Sequence, residues 1–212
     1  MKQILITLAV SLVAFAACTS KKGDTAKVDG LTFDSIVVDT TVALSETKLA
    51  PTCQISLNLQ YAKGNNAEKI NNALLHAGIL MPDYLGLTNQ KFNMKQAVDS
   101  FAQRMLSDYK TEYGALYRQD KEHYESYNYK YKVKTSTRNG ADNIIVYTAK
   151  VYIFGGGAHG INQTLVRNID IKTGTVLQLQ DVFVPGYELT LKEMLVDKLA
   201  ERFGVDGLEG LI

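Results

Sequence analysis

From Thr52 to Tyr61 apolar and polar side chains alternate without a break. Cys53, Ile55, Leu57, Leu59 and Tyr61 fall on one side; Gln54, Ser56, Asn58 and Gln60 fall on the other. A period of two predicts a strand with one buried face and one wet face. Thr32 to Leu44 holds Phe33, Ile36, Val37, Val38 and Val42 among many Thr, which is strand composition. Between Lys63 and Asn66 the pattern breaks. Asn66 stands where a helix cap belongs, and Ile70, Ala73, Leu74 and Ala77 then recur at helical spacing. Gly78 and Pro82 predict the end of that helix. A longer helix is expected from about Asn93 to Tyr117, with Val98, Phe101, Met105, Leu106, Tyr109, Tyr113 and Leu116 as its apolar stripe.

From Tyr127 the period returns to two. Tyr127, Tyr129, Tyr131, Val133 and Thr135 share one face, and Lys130, Lys132 and Lys134 take the other. Arg138-Asn139-Gly140 reads as a hairpin turn, because Asn-Gly tolerates the positive φ such turns demand. Ile144 to Phe154 is the returning strand. After a Gly-rich turn, Thr164 to Ile171 and Thr175 to Leu179 read as two more strands around Lys172-Thr173-Gly174. Glu188 to Phe203 is expected to be a helix with Leu191, Met194, Leu195 and Leu199 facing inward. The fold class is α+β: an antiparallel β-sheet meander with helices packed on it.

The N-terminus reads differently. Lys2 is followed by an almost wholly apolar run, Ile4 to Ala17. About fourteen residues are too few for a lasting membrane span, which needs roughly 20. A basic start, a short apolar core and small residues at its end describe an export signal. Phe15-Ala16-Ala17-Cys18 resembles the lipobox of bacterial lipoproteins, with Phe in place of the usual Leu. That resemblance implies acylation of Cys18, a signal peptide over 1–17 and a lipidated tether over 18–30. The setting is then the cell envelope, on the periplasmic face or at the outer membrane, with the membrane as partner through the lipid anchor. Cys53 is left without a cysteine to pair with. Its place on an apolar strand face makes it a small buried hydrophobe.

Composition narrows the chemistry. The chain has 212 residues and 46% hydrophobic content, enough for a real core. Lys plus Arg is 23 and Asp plus Glu is 22, so the net charge gives no overall field to steer nucleic acid, which is not an expected partner. The three histidines, His76, His123 and His159, are not at zinc-ligand spacing; no metal site or cofactor is expected. No nucleophile elbow, P-loop or dinucleotide fingerprint occurs. The Tyr-rich stretch from Tyr109 to Tyr131 has two readings: a sheet face packed on helices, or rings that hold a glycan or a protein.

One loop stands out. Tyr152-Ile153-Phe154 ends a strand and runs into Gly155-Gly156-Gly157-Ala158-His159-Gly160. Such a loop could offer backbone N–H groups to an anion or a carbonyl oxygen, with His159 beside them. The candidate ligand-binding residues are therefore Tyr152, Gly155, Gly156, Gly157, Ala158 and His159. The alternative is a tight turn with His159 bonded to a carbonyl. No catalytic residue is assigned.

The loop, Asn168-Ile169-Asp170, Thr173-Gly174 and Leu179-x-Asp181-Val182-Phe183 together resemble the extracytoplasmic pair of domains in RsiV-type anti-sigma factors, which sense lysozyme. They also resemble the non-catalytic part of PdaC-type peptidoglycan deacetylases. The resemblance covers about residues 31–212 and implies a PdaC-like domain over 31–158 and part of an RsiV-type domain over 159–212. Members of that family continue past the last helix into further strands, so the second domain is expected to be C-terminally incomplete. The deacetylase's Asp-His-His metal ligands and a sigma-binding segment have no counterpart here. The implied function is non-enzymatic binding of a cell-wall glycan or a protein such as lysozyme. A cell-wall polymer-modifying enzyme using His159 and an envelope scaffold component are the alternatives.

Overall fold

The computed structural model describes residues 25, 26, 28, 30–84 and 93–211. The expected export signal and Cys18 lie outside the described residues. Among the described residues six strands form one sheet in chain order: β1 (Leu31–Ala43), β2 (Thr52–Gly64), β3 (Tyr129–Asn139), β4 (Ile144–Phe154), β5 (Ile161–Asp170) and β6 (Thr175–Val176). Two helices, α1 (Ala67–Leu75) and α2 (Met94–Gln119), lie between β2 and β3; α3 (Tyr187–Phe203) follows β6.

The α+β class is observed, with one change to the meander. β2 and β3 pair in parallel, Cys53 opposite Tyr129 through Asn58 opposite Lys134. The reason is the connection: α1 and α2 carry the chain back over the sheet, so β3 starts at the same end as β2. All other neighbours are antiparallel.

The alternation seen in the sequence sets the layers. Cys53, Ile55, Leu57 and Leu59 are buried with Tyr131, Val133, Ile145, Tyr147 and Ala149. Ile70, Leu74, Ala97, Val98, Phe101 and Met105 cover them from α1 and α2. Phe101 stands at the centre of an aromatic chain, its ring 5.6 Å from Tyr84 and 5.7 Å from Tyr131. α2 opens on a complete capping box: Asn93 accepts from the Gln96 N–H, and Gln96 accepts from the Asn93 N–H.

The β2–β3 ladder stops at Asn58 and Lys134, and side chains take over. The Gln60 N–H donates to the Thr135 hydroxyl at 2.7 Å. The Tyr147 hydroxyl donates to the Gln60 carbonyl at 2.8 Å and lies 3.0 Å from the Thr135 hydroxyl. Buried backbone groups that lose their strand partner need another one, and two hydroxyls supply it.

Three local features differ from what the residue pattern predicts. Asn66 stands at the α1 N-cap but in the left-handed region, and its side chain makes no cap. It donates instead to the Ile171 and Lys172 carbonyls, tying α1 to the β5–β6 turn. The β3–β4 hairpin turns over residues 140–143, with the positive φ at Asp142 rather than at Asn139-Gly140. β6 is two residues long, since a 3-10 turn at Leu179–Asp181 takes the chain away from the sheet.

The α3 helix forms as expected, but Met194, Leu195 and Leu199 are exposed and Leu191 is half-buried. The covered face of the sheet is already occupied by α1 and α2, so no inward face is left for this stripe. The connection near residue 158 joins β4 to β5, which pair over ten residues. Strands on both sides of it therefore belong to one sheet.

Candidate functional site

The strand registers bring several chain segments to one end of the sheet. Ala43 lies opposite Thr52, Cys53 opposite Tyr129, and Lys130 opposite Phe154. The β1–β2 loop, the C-terminal end of α2, the 3-10 turn Tyr124–Tyr127 and the Gly-rich loop all sit there. The 3-10 turn is held from two sides. The Tyr109 hydroxyl donates to the Tyr127 carbonyl at 2.9 Å, and the Thr52 N–H donates to the Asn128 side-chain oxygen at 3.0 Å.

The Gly-rich loop leans on this turn. Gly156 has φ +79°, and a Cβ there would overlap the Ser126 carbonyl. Gly160 lies close under the Tyr152 ring, and a Cβ there would force the end of that ring to shift. These two glycines are explained by the chain's own packing. Gly155 and Gly157 are not: neither has a positive φ, and a Cβ at either would meet nothing within 4 Å. His159 is exposed, and no hydrogen bond to its side chain forms among the described residues. Tyr152 is half-buried. The structure thus gathers all six predicted residues in one strand end and loop, while His159 has no oriented partner of the kind a reacting imidazole needs.

Across the 3-10 turn lies an open groove of about 540 Å³, lined by Thr47, Lys48, Leu49, Tyr117, Lys121, Glu122 and Tyr124. Tyr117 packs edge-on to Tyr127, with centroids 6.3 Å apart. Beside the groove His123 Nδ1 is 2.7 Å from an Asp120 carboxylate oxygen. The hydrogen bond from His123 holds the Asp120 carboxyl below its ordinary range. Burial, reinforced by the Asp120 charge, pushes the Tyr127 phenol up.

The Tyr-rich stretch therefore divides. Tyr109 and Tyr131 are core; Tyr117 and Tyr124 line the groove. Thr47, Lys48 and Leu49 carry no signal in sequence, since only the fold sets their loop beside the end of α2. Cys53 is fully buried, and burial raises its thiol to about 11, so it is unreactive. His76 is exposed at the end of α1. Among the described residues no group of three or more His, Cys, Asp or Glu could hold a metal ion. No described helix is long and apolar enough to cross a membrane.

Comparison with known proteins gives a fold relative without a stated activity. No family model matches the chain, and no curated protein matches it. A crystal structure of a DUF3298 family member from Bacteroides fragilis is similar at TM-score 0.70 and 26% identity. That match covers 87% of this chain and 74% of the other. A DUF3298 family protein from Pseudomonas aeruginosa matches at TM-score 0.49 and 17% identity, covering 82% of this chain and 66% of the other.

Proposed function

We propose that this chain is a non-enzymatic binding module of the bacterial cell envelope, held at a membrane through acylated Cys18. In this reading the Tyr117–Tyr124 groove and the Gly155–His159 loop receive a cell-wall glycan. The observation that carries it is the pair Gly155 and Gly157. The chain's own packing leaves both positions open to a side chain, so their bareness serves a backbone approach from outside. The loop adjoins, across one 3-10 turn, a groove whose floor contains tyrosine rings, and such rings present an apolar face and a polar tip.

Calorimetric titration of the purified chain with soluble peptidoglycan fragments tests this. Tyr117→Ala, Tyr124→Ala and Gly157→Val are each expected to weaken binding by about tenfold, which corresponds to about 1.4 kcal/mol. Unchanged folding by circular dichroism is the control. Absence of glycan binding, or binding indifferent to all three changes, refutes the site. Capture of lysozyme without glycan binding moves the reading to a protein ligand. Mass spectrometry of the membrane fraction tests the anchor: an unacylated chain that keeps Met1 refutes it.

A further inference from the structure

The sheet face turned away from α1 and α2 carries a charge arrangement that the fold does not need. Lys130, Lys132 and Lys134 of β3 alternate onto it, and all three are exposed. The register sets Lys134 directly opposite Lys150 of β4. Directly opposed like charges on adjacent strands destabilise a sheet. No ion pair forms to any of these four ammonium groups among the described residues. β3 and β4 contain no acidic residue at all. A near-neutral chain therefore sets four lysines without ion-pair partners on the two central strands of this face, with Asp39 of β1, opposite Ser56, as the carboxylate on its β1 side.

The neighbours on that face are suited to sugars. Gln54, Ser56 and Asn58 of β2 lie beside Lys130, Lys132 and Lys134, and Thr164 of β5 lies beside Lys150. The Tyr152 ring is opposite Lys132. Successive lysines on one strand face are spaced by two residues, roughly 7 Å. That is a row of cations flanked by amide and hydroxyl groups.

We infer that this open face binds a linear acidic polysaccharide, with carboxylate or sulfate groups along the lysine row and hydroxyls on the flanking amides. This proposal does not depend on the groove or on the Gly-rich loop. It accounts for the Lys134–Lys150 opposition: the two charges repel in the free protein and are neutralised together by the polymer.

The probe is heparin, as a model acidic polysaccharide, with the full chain immobilised and the salt concentration varied. Binding is expected at low salt and is expected to weaken steeply as salt rises. The triple variant Lys132→Gln, Lys134→Gln, Lys150→Gln is expected to abolish it while keeping the thermal midpoint or raising it. A control triple on the helix side of the sheet, Lys69→Gln, Lys95→Gln, Lys110→Gln, is expected to bind like the parent. No heparin binding, or equal loss in both triples, overturns the proposal. Tighter binding to vesicles of anionic phospholipid than to heparin also overturns it in favour of a membrane surface. If the row triple melts lower than the parent, Lys150→Gln alone decides: unchanged binding in that folded single variant overturns the inference.

Discussion

Removing one oxygen from Tyr147 should reveal what joins β2 to β3 beyond the end of their backbone ladder. The Tyr147 side chain is 1% exposed, so Tyr147→Phe keeps the ring in its packed site. It leaves the Gln60 carbonyl without its 2.8 Å donor, and it removes the neighbour of the Thr135 hydroxyl. A buried carbonyl left unpaired costs about 1–3 kcal/mol. For a chain of this size each kcal/mol moves the midpoint by roughly 2–4 °C, so a central 2 kcal/mol predicts a fall of roughly 4–8 °C. Urea unfolding should give the same loss with an unchanged slope. Thr135→Val removes the acceptor of the Gln60 N–H, and its cost should be of similar size, about 1–3 kcal/mol. The double variant should cost less than the sum, because both changes disable one network. If Tyr147→Phe lies within about 0.5 kcal/mol of the parent, the span of ordinary surface changes, the hydroxyl is not the partner on which that carbonyl depends.

Gly156→Ala should destabilise the chain by about 1–3 kcal/mol, since it adds a Cβ at positive φ against the Ser126 carbonyl; Gly155→Ala should be silent in the same melting experiment. Asn93→Ala should lower stability by about 1 kcal/mol through loss of the α2 capping box, measured by urea unfolding. Lys150→Gln should raise the melting midpoint slightly, by a fraction of a kcal/mol, by relieving the opposition to Lys134. Cys53 should resist thiol reagents in the native chain and react once urea unfolds it. The Asp120 carboxyl, lowered by its bond to His123, favours the folded state above the ordinary carboxylate range. That contribution is lost as pH falls through the lowered value, and an NMR titration of the carboxyl carbon should show it.

Periodicity made much of this fold legible. The alternation from Cys53 to Leu59 and from Tyr131 to Thr135 marked the buried face, and the spacing from Val98 to Tyr109 marked the α2 stripe. Those signals are local, and each is enforced by the same burial it predicts. Pairing is not local. The parallel β2–β3 ladder follows from where two helices return the chain, which no residue of either strand announces. The α3 stripe failed for a related reason. An amphipathic pattern states that a face is apolar, not what lies opposite it, and here the covered side of the sheet is taken by α1 and α2. The Gly-rich loop was visible in sequence as a run of small residues. Only geometry separates Gly156, which the backbone requires, and Gly160, which seats the Tyr152 ring, from Gly155 and Gly157, which meet nothing. The β1–β2 side of the groove had no signal at all.

Charge gives the sharpest case of a property divided between the two levels. Counting Lys, Arg, Asp and Glu gives a nearly neutral chain with no overall field to steer nucleic acid. The alternation in β3 sends three lysines to the wet face, where single lysines are merely well solvated. What converts them from solvated side chains into a surface is register. The pairing that buries Val133 against Val151 on the helix side places Lys134 against Lys150 on the other. A shift of one residue would part the lysines but would also turn Tyr131, Val133 and Thr135 out of the core. The core therefore holds the repulsion in place. If the charges served solubility alone, an acidic residue at position 150 would do it better, forming a cross-strand pair with Lys134. A lysine there makes sense if something outside the chain supplies the negative charge.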